Sequence, residues 1–380
     1  MRGLPAGWYV DPARGPLEFS HVFGRSWQFV CHAADLPAPG TVARLDCAGR
    51  SAFVLRTRTL ELRAFRNACS HRGSRLVDGD PGTGLAFCVD GRVRCPYHGW
   101  AYDEDGRLES IPAGQCFDTA DPESLALAAL PVTQWRGLVF VAFGAPDRSL
   151  ESAAGEGATD WPDVSSMRRL AEPRSIDVAA DWKLACEHAL DTAHLRVTRP
   201  APRSRLVEPS EFRVVSPDAL RATGTPVESA RASWPTRAWL QLAGDAGTAA
   251  DFLFLWPNLL LCLAGGTLTV AQALPLRAGA CRVRATRYGG SDSTRDARRR
   301  RYLHERVLRR ALQDDARLLE RVQHGLGNLE PATTLPIDDA QPGLRWFVER
   351  CRAALGPGAD AAKKPGTRTR RRAAIVSGAT

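Results

Sequence analysis

Asn67-Ala68-Cys69-Ser70-His71-Arg72-Gly73, followed downstream by Cys95-Pro96-Tyr97-His98-Gly99-Trp100, is the stretch on which the reading of this chain turns. Cys69-x-His71 and Cys95-x2-His98 are separated by 23 intervening residues, and each pair mixes a thiol with an imidazole. Thiolates bind iron tightly, and placing two imidazoles on one iron of a [2Fe-2S] cluster raises its potential well above the all-cysteine type. The pairs fall between short apolar runs, so the spacing predicts two neighbouring β-hairpin loops closing on one electron-accepting cluster. The same residue types permit a Cys2His2 zinc site in a colourless interaction module. Zinc-finger spacing groups Cys with Cys and His with His, which this chain does not do.

Working outward, residues 41–45, 52–55, 60–65, 85–88 and 137–143 read as short strands punctuated by Gly, Asp and Pro, as in a small all-β domain. Residues 145–159, rich in Gly, Ala, Ser and charge, read as a connection. Beyond them the pattern changes to a helix over about 181–195, strands at 238–242, 251–256, 259–264, 267–276 and 281–288, and a long amphipathic helix over about 294–326. That order predicts an α+β domain in which a sheet grips helices. The tail after Pro357 has no apolar periodicity and is expected to be disordered.

The two loops resemble the Rieske motif, and the chain from about Gly7 to Leu355 resembles the oxygenase α-subunit of the Rieske non-haem iron oxygenases, of the aromatic-ring-hydroxylating or choline-monooxygenase-like kind. The likeness includes Trp8-Tyr9-Val10-Asp11, Val22-Phe23-Gly24-Arg25-Ser26-Trp27 and Asp181-Trp182-Lys183. It implies an α+β fold: an all-β Rieske [2Fe-2S] domain joined to a helix-grip (START-like) domain. The expected organisation is an N-terminal segment packing on the body (1–25), the Rieske domain (26–145), a linker (146–165), the helix-grip domain (166–355) and a basic tail (356–380). By the same resemblance Cys69 and Cys95 bind one iron, and His71 and His98 the other. Cys88 has Gly91 three residues on, where a His is required.

The family also holds a mononuclear iron with two histidines and a carboxylate. The corresponding segment is Glu187-His188-Ala189-Leu190-Asp191-Thr192-Ala193-His194-Leu195-Arg196-Val197-Thr198-Arg199-Pro200. The resemblance puts His194 at the first ligand position and Asp191 as the acid bridging cluster and iron across a subunit interface. Arg199 stands where the second histidine belongs. Downstream, Gln313 to Gln323 matches the pattern that places the carboxylate ligand at Asp315. Helix geometry supports this independently: at about 100° per residue Leu312, Asp315, Leu319, Val322 and Leu326 share one stripe, with Asp314 pointing outward. A cation fixed beside the iron position opposes metal binding and attracts carboxylates, so Arg199 is expected to pair with Asp315 or Asp191. His188 is the tentative substitute ligand, although on a regular helix it lies about 120° from His194. Glu187, water or substrate are the other ways to complete the site. His304 lies on the apolar side of the late helix about 16 Å from Asp315, His324 faces away, and His21 and His32 match no ligand position.

The chain has 380 residues, ten cysteines and a formal charge of +9. Only three of its 51 basic residues are lysines (Lys183, Lys363, Lys364), and the segment from Gly356 onward holds six basic residues against Asp360. Without that segment the body is near balance and shows no basic stripe, so no nucleic-acid partner is expected. Ten cysteines in a chain of this size point to metal ligation rather than a disulfide framework. The first residues lack an apolar run of roughly 7–15 residues, so no secretory leader and a cytoplasmic location are expected. The apolar stretch 252–266 is broken by Pro257-Asn258 and is shorter than the roughly 20 residues of a membrane helix. The resemblance implies an NAD(P)H-dependent reductase, with or without a ferredoxin, a small-molecule substrate, and a homotrimer or a hetero-oligomer with a paralogue. The reaction implied is O2-dependent hydroxylation or demethylation. The competing reading is a catalytically silent Rieske subunit serving electron transfer or assembly.

Overall fold

In the computed structural model, which describes residues 1–79, 85–86, 91–112, 122–155, 159–193, 205–227, 232–244 and 249–356, the short alternating runs of the first half pair as antiparallel strands. The order is Ala129–Leu130, Leu62–Arg66, Arg50–Arg56, Thr41–Cys47, Leu85–Ala86. Cys47 pairs with Arg50 across a two-residue turn, and Ala48 and Gly49 both take positive φ, 50° and 72°, the turn whose twist matches that of its strands. A second small sheet joins Val93–Arg94, Ala101–Tyr102 and Leu108–Ser110, so the two Cys/His loops leave different sheets.

The second half forms the expected α+β layer. Its antiparallel strands are β1 (Arg174–Val178), β2 (Ala219–Pro226), β3 (Ala250–Leu255), β4 (Leu259–Ala264), β5 (Thr267–Arg277) and β6 (Ala280–Gly289). Among the described residues the sheet has nine strands, with β6-β5-β4-β3-β2 as its spine and β1 on β6. Four helices pack around it: α1 (Trp182–Leu190), α2 (Trp234–Ala243), α3 (Arg295–Leu326) and α4 (Pro342–Leu355). α1 lies on β5 and β6, while α3 runs between β1, α1 and α2. The Asp181 and Thr294 side chains cap α1 and α3 by accepting from Lys183 N and Ala297 N, satisfying amides that have no partner inside the helix.

Three expectations are corrected, and one helix is added to them. Residues 238–242, read as a strand, lie inside α2, whose start is marked by Ser233 accepting from Thr236 N and by a proline in its first turn; the helix-start signal outranks the apolar run. The 145–159 connection contains a helix, Leu150–Ala154, capped by Ser149, with Leu150 and Ala154 buried. α1 stops at Leu190 with Asp191 as its extended C-cap, short of the expected end near residue 195. α4 was not anticipated, yet Phe347, Val348 and Cys351 on it are fully buried.

The N-terminal segment is clamped to α1. Arg2–Pro5 pairs with Thr334–Pro336, and the Tyr9 hydroxyl donates to Glu187 at 2.7 Å. Lys183, with no exposed surface, lies between Glu18 and Asp181, 2.7 Å from the latter. Burial pushes Glu187 up to about 7 against the pull of the Tyr9 hydrogen bond and Lys183.

Candidate metal centres

The two loops share one backbone frame. Cys69 N donates to Ser74 O at 2.8 Å, and Gly73 N donates back to Cys69 O at 2.8 Å. In the second loop Cys95 N donates to Trp100 O at 2.7 Å, and Gly99 N to Cys95 O at 3.1 Å. Each closure requires a left-handed residue four positions after the cysteine, and Gly73 and Gly99 supply it at φ 70° and 75°, a conformation open to glycine without strain. Cys-x3-Gly is the sequence signature of this frame. Asn67 staples the first loop: its side chain donates to Val77 O and Ser51 Oγ and accepts from Leu76 N and Val77 N, at 2.8–3.1 Å.

The frames bury both thiols, Cys69 at 3% and Cys95 at 2% exposure, and leave the His71 and His98 rings half-buried at the rim, 4.7 Å apart between centroids. His71 stacks flat on the buried Trp100 at 4.6 Å. Cys69 Sγ is hydrogen-bonded to the Tyr102 hydroxyl at 3.0 Å. Burial pushes the Cys69 thiol up. Burial also opposes ionisation of Cys95, but the backbone N–H groups of His98 and Tyr97, with the Cys69 and Ser74 side chains, bring its thiol below the ordinary value. Desolvation, His98 and Arg72 hold the His71 imidazole low. Two buried sulfurs with hydrogen-bond donors beside them and two imidazoles at the rim fit a two-iron cluster ligated at both irons. Tyr102 and Asn67 were not singled out from the sequence, because neither is a metal ligand and both act across the fold.

The second centre forms between α1 and α3. His188 Nε2 lies 3.2 Å from Asp315 Oδ1. Arg205 Nη2 donates to both oxygens of the same carboxylate, at 3.1 and 3.0 Å. Asp191 accepts from Ala193 N at 2.9 Å and from Gln341 Nε2 at the start of α4, tying the end of α1 to the last helix. His194 and Arg199 lie outside the described residues, so the expected Arg199 ion pair does too; the guanidinium described on Asp315 is that of Arg205. His188 does reach Asp315. Glu187, weighed as another ligand, is engaged by Tyr9 on the clamp side. Asp314 is not simply outward: Arg310 and Arg317 cover it, leaving its side chain 13% exposed against 22% for Asp315. Val322 departs from the predicted stripe and is 47% exposed. His32 is structural, accepting from Ala34 N and meeting Val164 O at 3.0 Å, and His324 is exposed. Among the described residues no three His, Cys, Asp or Glu side chains share a single-ion site. With a cation already on Asp315, the described donors by themselves do not fit a mononuclear iron.

His188, Arg205 and Asp315 line one end of a cavity of about 220 Å³ walled by α1, α3 and the inner face of β3 to β6. Its walls are mostly apolar, including Phe252, Phe254, Leu260 and Val307. No helix of the described residues is long and apolar enough to cross a membrane.

An iron–sulfur-type β domain set on a helix-grip sheet that encloses an apolar cavity defines the class as Rieske-type oxygenase subunits. Residues 26–131 match the Rieske [2Fe-2S] domain, and residues 167–356, half of the chain, match the ring hydroxylating alpha subunit (catalytic domain). The chain belongs to the ring-hydroxylating alpha-subunit family, and the zinc alternative is set aside. It is 31% identical over 201 residues to the biphenyl 2,3-dioxygenase alpha subunit of Rhodococcus jostii, covering 49% of this chain and 42% of that protein. It is 30% identical over 203 residues to the carnitine monooxygenase oxygenase subunit of Escherichia coli K12, covering 52% of each. The chain thus spans about half the length of the curated relatives it matches. In fold it is similar to a quaternary ammonium Rieske monooxygenase in complex with L-carnitine, with a TM-score of 0.74 at 20% identity over 93% of this chain and 96% of that one. Naphthalene 1,2-dioxygenase from Rhodococcus gives 0.70 at 20% identity over 93% and 95%.

Proposed function

We propose that this chain is an oxygenase-type component of a Rieske system, in which Cys69, His71, Cys95 and His98 hold the [2Fe-2S] cluster, His194 and Asp315, with His188 as the substitute ligand, are the donors of a degenerate mononuclear iron position that has Arg199 in place of a histidine, and Asp191 is the acid that bridges cluster and iron. It takes electrons from an NAD(P)H-dependent reductase, directly or through a ferredoxin. It then oxidises a small organic molecule: with O2, two electrons and two protons, a C–H bond becomes C–OH and water is released. When bound, the cluster supplies one-electron transfer at a raised potential. The chain's own residues contribute the rest. The loop frames exclude water from the sulfurs, the half-exposed imidazoles present the cluster's edge to a partner, and the apolar cavity desolvates the substrate beside His188 and Asp315. The working assembly is a homotrimer or a hetero-oligomer with a paralogue.

The observation that carries this reading is the His188–Asp315 pair at the end of an apolar cavity, in a chain whose Rieske loops are intact. A second reading, a silent subunit used for electron transfer or assembly, is favoured by the Arg205 grip on both oxygens of Asp315 and by the arginine at 199. Purified chain, reductase and NAD(P)H separate the two. Product formation with a third iron per chain supports the oxygenase, whereas cluster reduction with two irons and no O2 consumption supports the silent subunit. Gain of the third iron in Arg199→His shows that the rest of the site is intact.

A further inference from the structure

Along α3 the cavity lining runs from His304 through Val307, Ala311 and Asp315 to Leu319. Steps of three and four keep these residues on one face, and eleven residues at 1.5 Å place about 16 Å between His304 and Asp315. The cavity is therefore a trench along about four turns of helix. Toward the Asp315 side, Arg205 and Asp315, the charged side chains of its described lining, neutralise each other. A charged ligand would lose its hydration without finding a counter-charge.

The other end is different. His304 is 8% exposed. Its Nε2 lies 3.4 Å from Thr269 Oγ1, another lining residue, while Nδ1 is buried and has no hydrogen-bond partner in the protein. The ring meets Trp239 edge-on at 6.3 Å. Burial, with Arg287 nearby, pushes the imidazole down to about 3, so it is neutral and offers one N–H and one lone pair. A buried polar atom left unpaired is costly, and its ring belongs to the cavity lining, where the amide side chains, Asn258 and Gln272, are already engaged by Ala273 O and Arg284.

We propose that His304, with Thr269 beside it, is the specificity-determining residue of the cavity: it hydrogen-bonds the single polar group, a hydroxyl or carbonyl, of a neutral and otherwise apolar small molecule. The ligand's apolar body then lies along α3 toward His188 and Asp315. This inference rests on the reading of the cavity as the substrate site.

The test uses the full chain with its cluster, titrated calorimetrically with 4-ethylphenol and with ethylbenzene, which differ by one hydroxyl. The ratio of the ethylbenzene Kd to the 4-ethylphenol Kd cancels the probes' shared apolar contribution. In His304→Leu this ratio is expected to fall about tenfold from wild type, while the ethylbenzene Kd stays within about threefold. His304→Asn, which keeps a polar atom near the position of Nδ1, is expected to retain most of the wild-type ratio. If the leucine variant loses the cluster's visible absorption, His304→Phe makes the same comparison. An unchanged ratio in the apolar variant overturns the role of His304 but leaves the cavity reading standing. Failure of both probes to bind wild type overturns the cavity reading and this inference together.

Discussion

Replacing Arg205 by leucine removes the guanidinium that holds both oxygens of Asp315 at 3.0 and 3.1 Å. A divalent ion bound to that carboxylate at about 2.1 Å would lie roughly 4–5 Å from the guanidinium. The three side chains are only partly exposed, at 15% for His188, 22% for Asp315 and 23% for Arg205. An effective dielectric of about 40, between water and a protein surface, is therefore appropriate, and the repulsion between charges of +2 and +1 comes to about 3–4 kcal/mol. Each 1.4 kcal/mol is about tenfold in affinity, so Arg205→Leu should tighten divalent-metal binding by at least about 100-fold. Loss of the partly exposed ion pair should cost about 1 kcal/mol of stability. Cobalt(II) is a suitable probe, since its d–d absorption reports binding at the second site separately from the cluster. Competition with a chelator of known affinity then gives the Kd in wild type, Arg205→Leu and Arg205→Leu/Arg199→His. Unchanged cobalt affinity in the folded single variant refutes the idea that Arg205 is what keeps the metal off Asp315.

Glu187 has a folded-state value of about 7, above its ordinary 4.5, so its ionised form is disfavoured by folding. Stability is then lost as pH rises from about 4.5 to 7 and levels off above, by about 3 kcal/mol at most; urea melts of Glu187→Gln between pH 5 and 8 should be flatter than those of wild type. Lys183→Met leaves Glu18 and Asp181 facing each other without their cation, and chemical denaturation at pH 7 should show a loss of about 3–5 kcal/mol, partly recovered at pH 5. Asn67→Ala removes four hydrogen bonds from the first loop, and both the urea midpoint and the cluster absorbance per chain should fall, the former by about 2–4 kcal/mol in equivalent stability. Preserved absorbance in that variant would remove Asn67 from the support of the cluster.

The cluster loops were readable in the sequence because metal ligation and a left-handed turn each demand specific residues at fixed local spacing: Cys, His and the glycine four positions after each Cys. The helix-grip sheet was readable for a similar reason, since the alternating apolar runs from Ala250 to Gly289 pair in register as consecutive hairpins. What could not be read depends on distant parts of the chain. Arg205 meets Asp315 across 110 residues and Gln341 meets Asp191 across 150, and nothing local marks either. α2 was misread because its apolar residues crowd into a run that alternation alone cannot assign, and the Ser233 cap decides it. His188 was placed about 120° from His194 on an ideal helix, but α1 ends at Leu190, which removes the premise of that geometry.

The paired loop frames are not mechanically equivalent. A Cβ added at Gly73 would meet nothing within 4 Å, whereas one at Gly99 would touch Pro112 Cγ at 3.0 Å. The first loop is tied to Ser51 and Val77 through Asn67 and to the chain beyond Ser110 through Ser70 Oγ donating to Leu125 O. The second comes close to Pro112, just beyond the Leu108–Ser110 strand that pairs with the one leaving the loop. A side chain at position 73 is therefore opposed by the left-handed backbone alone, whereas at position 99 it is opposed by the backbone and by a neighbouring ring, so the two halves of one cluster cradle differ in how much substitution they tolerate.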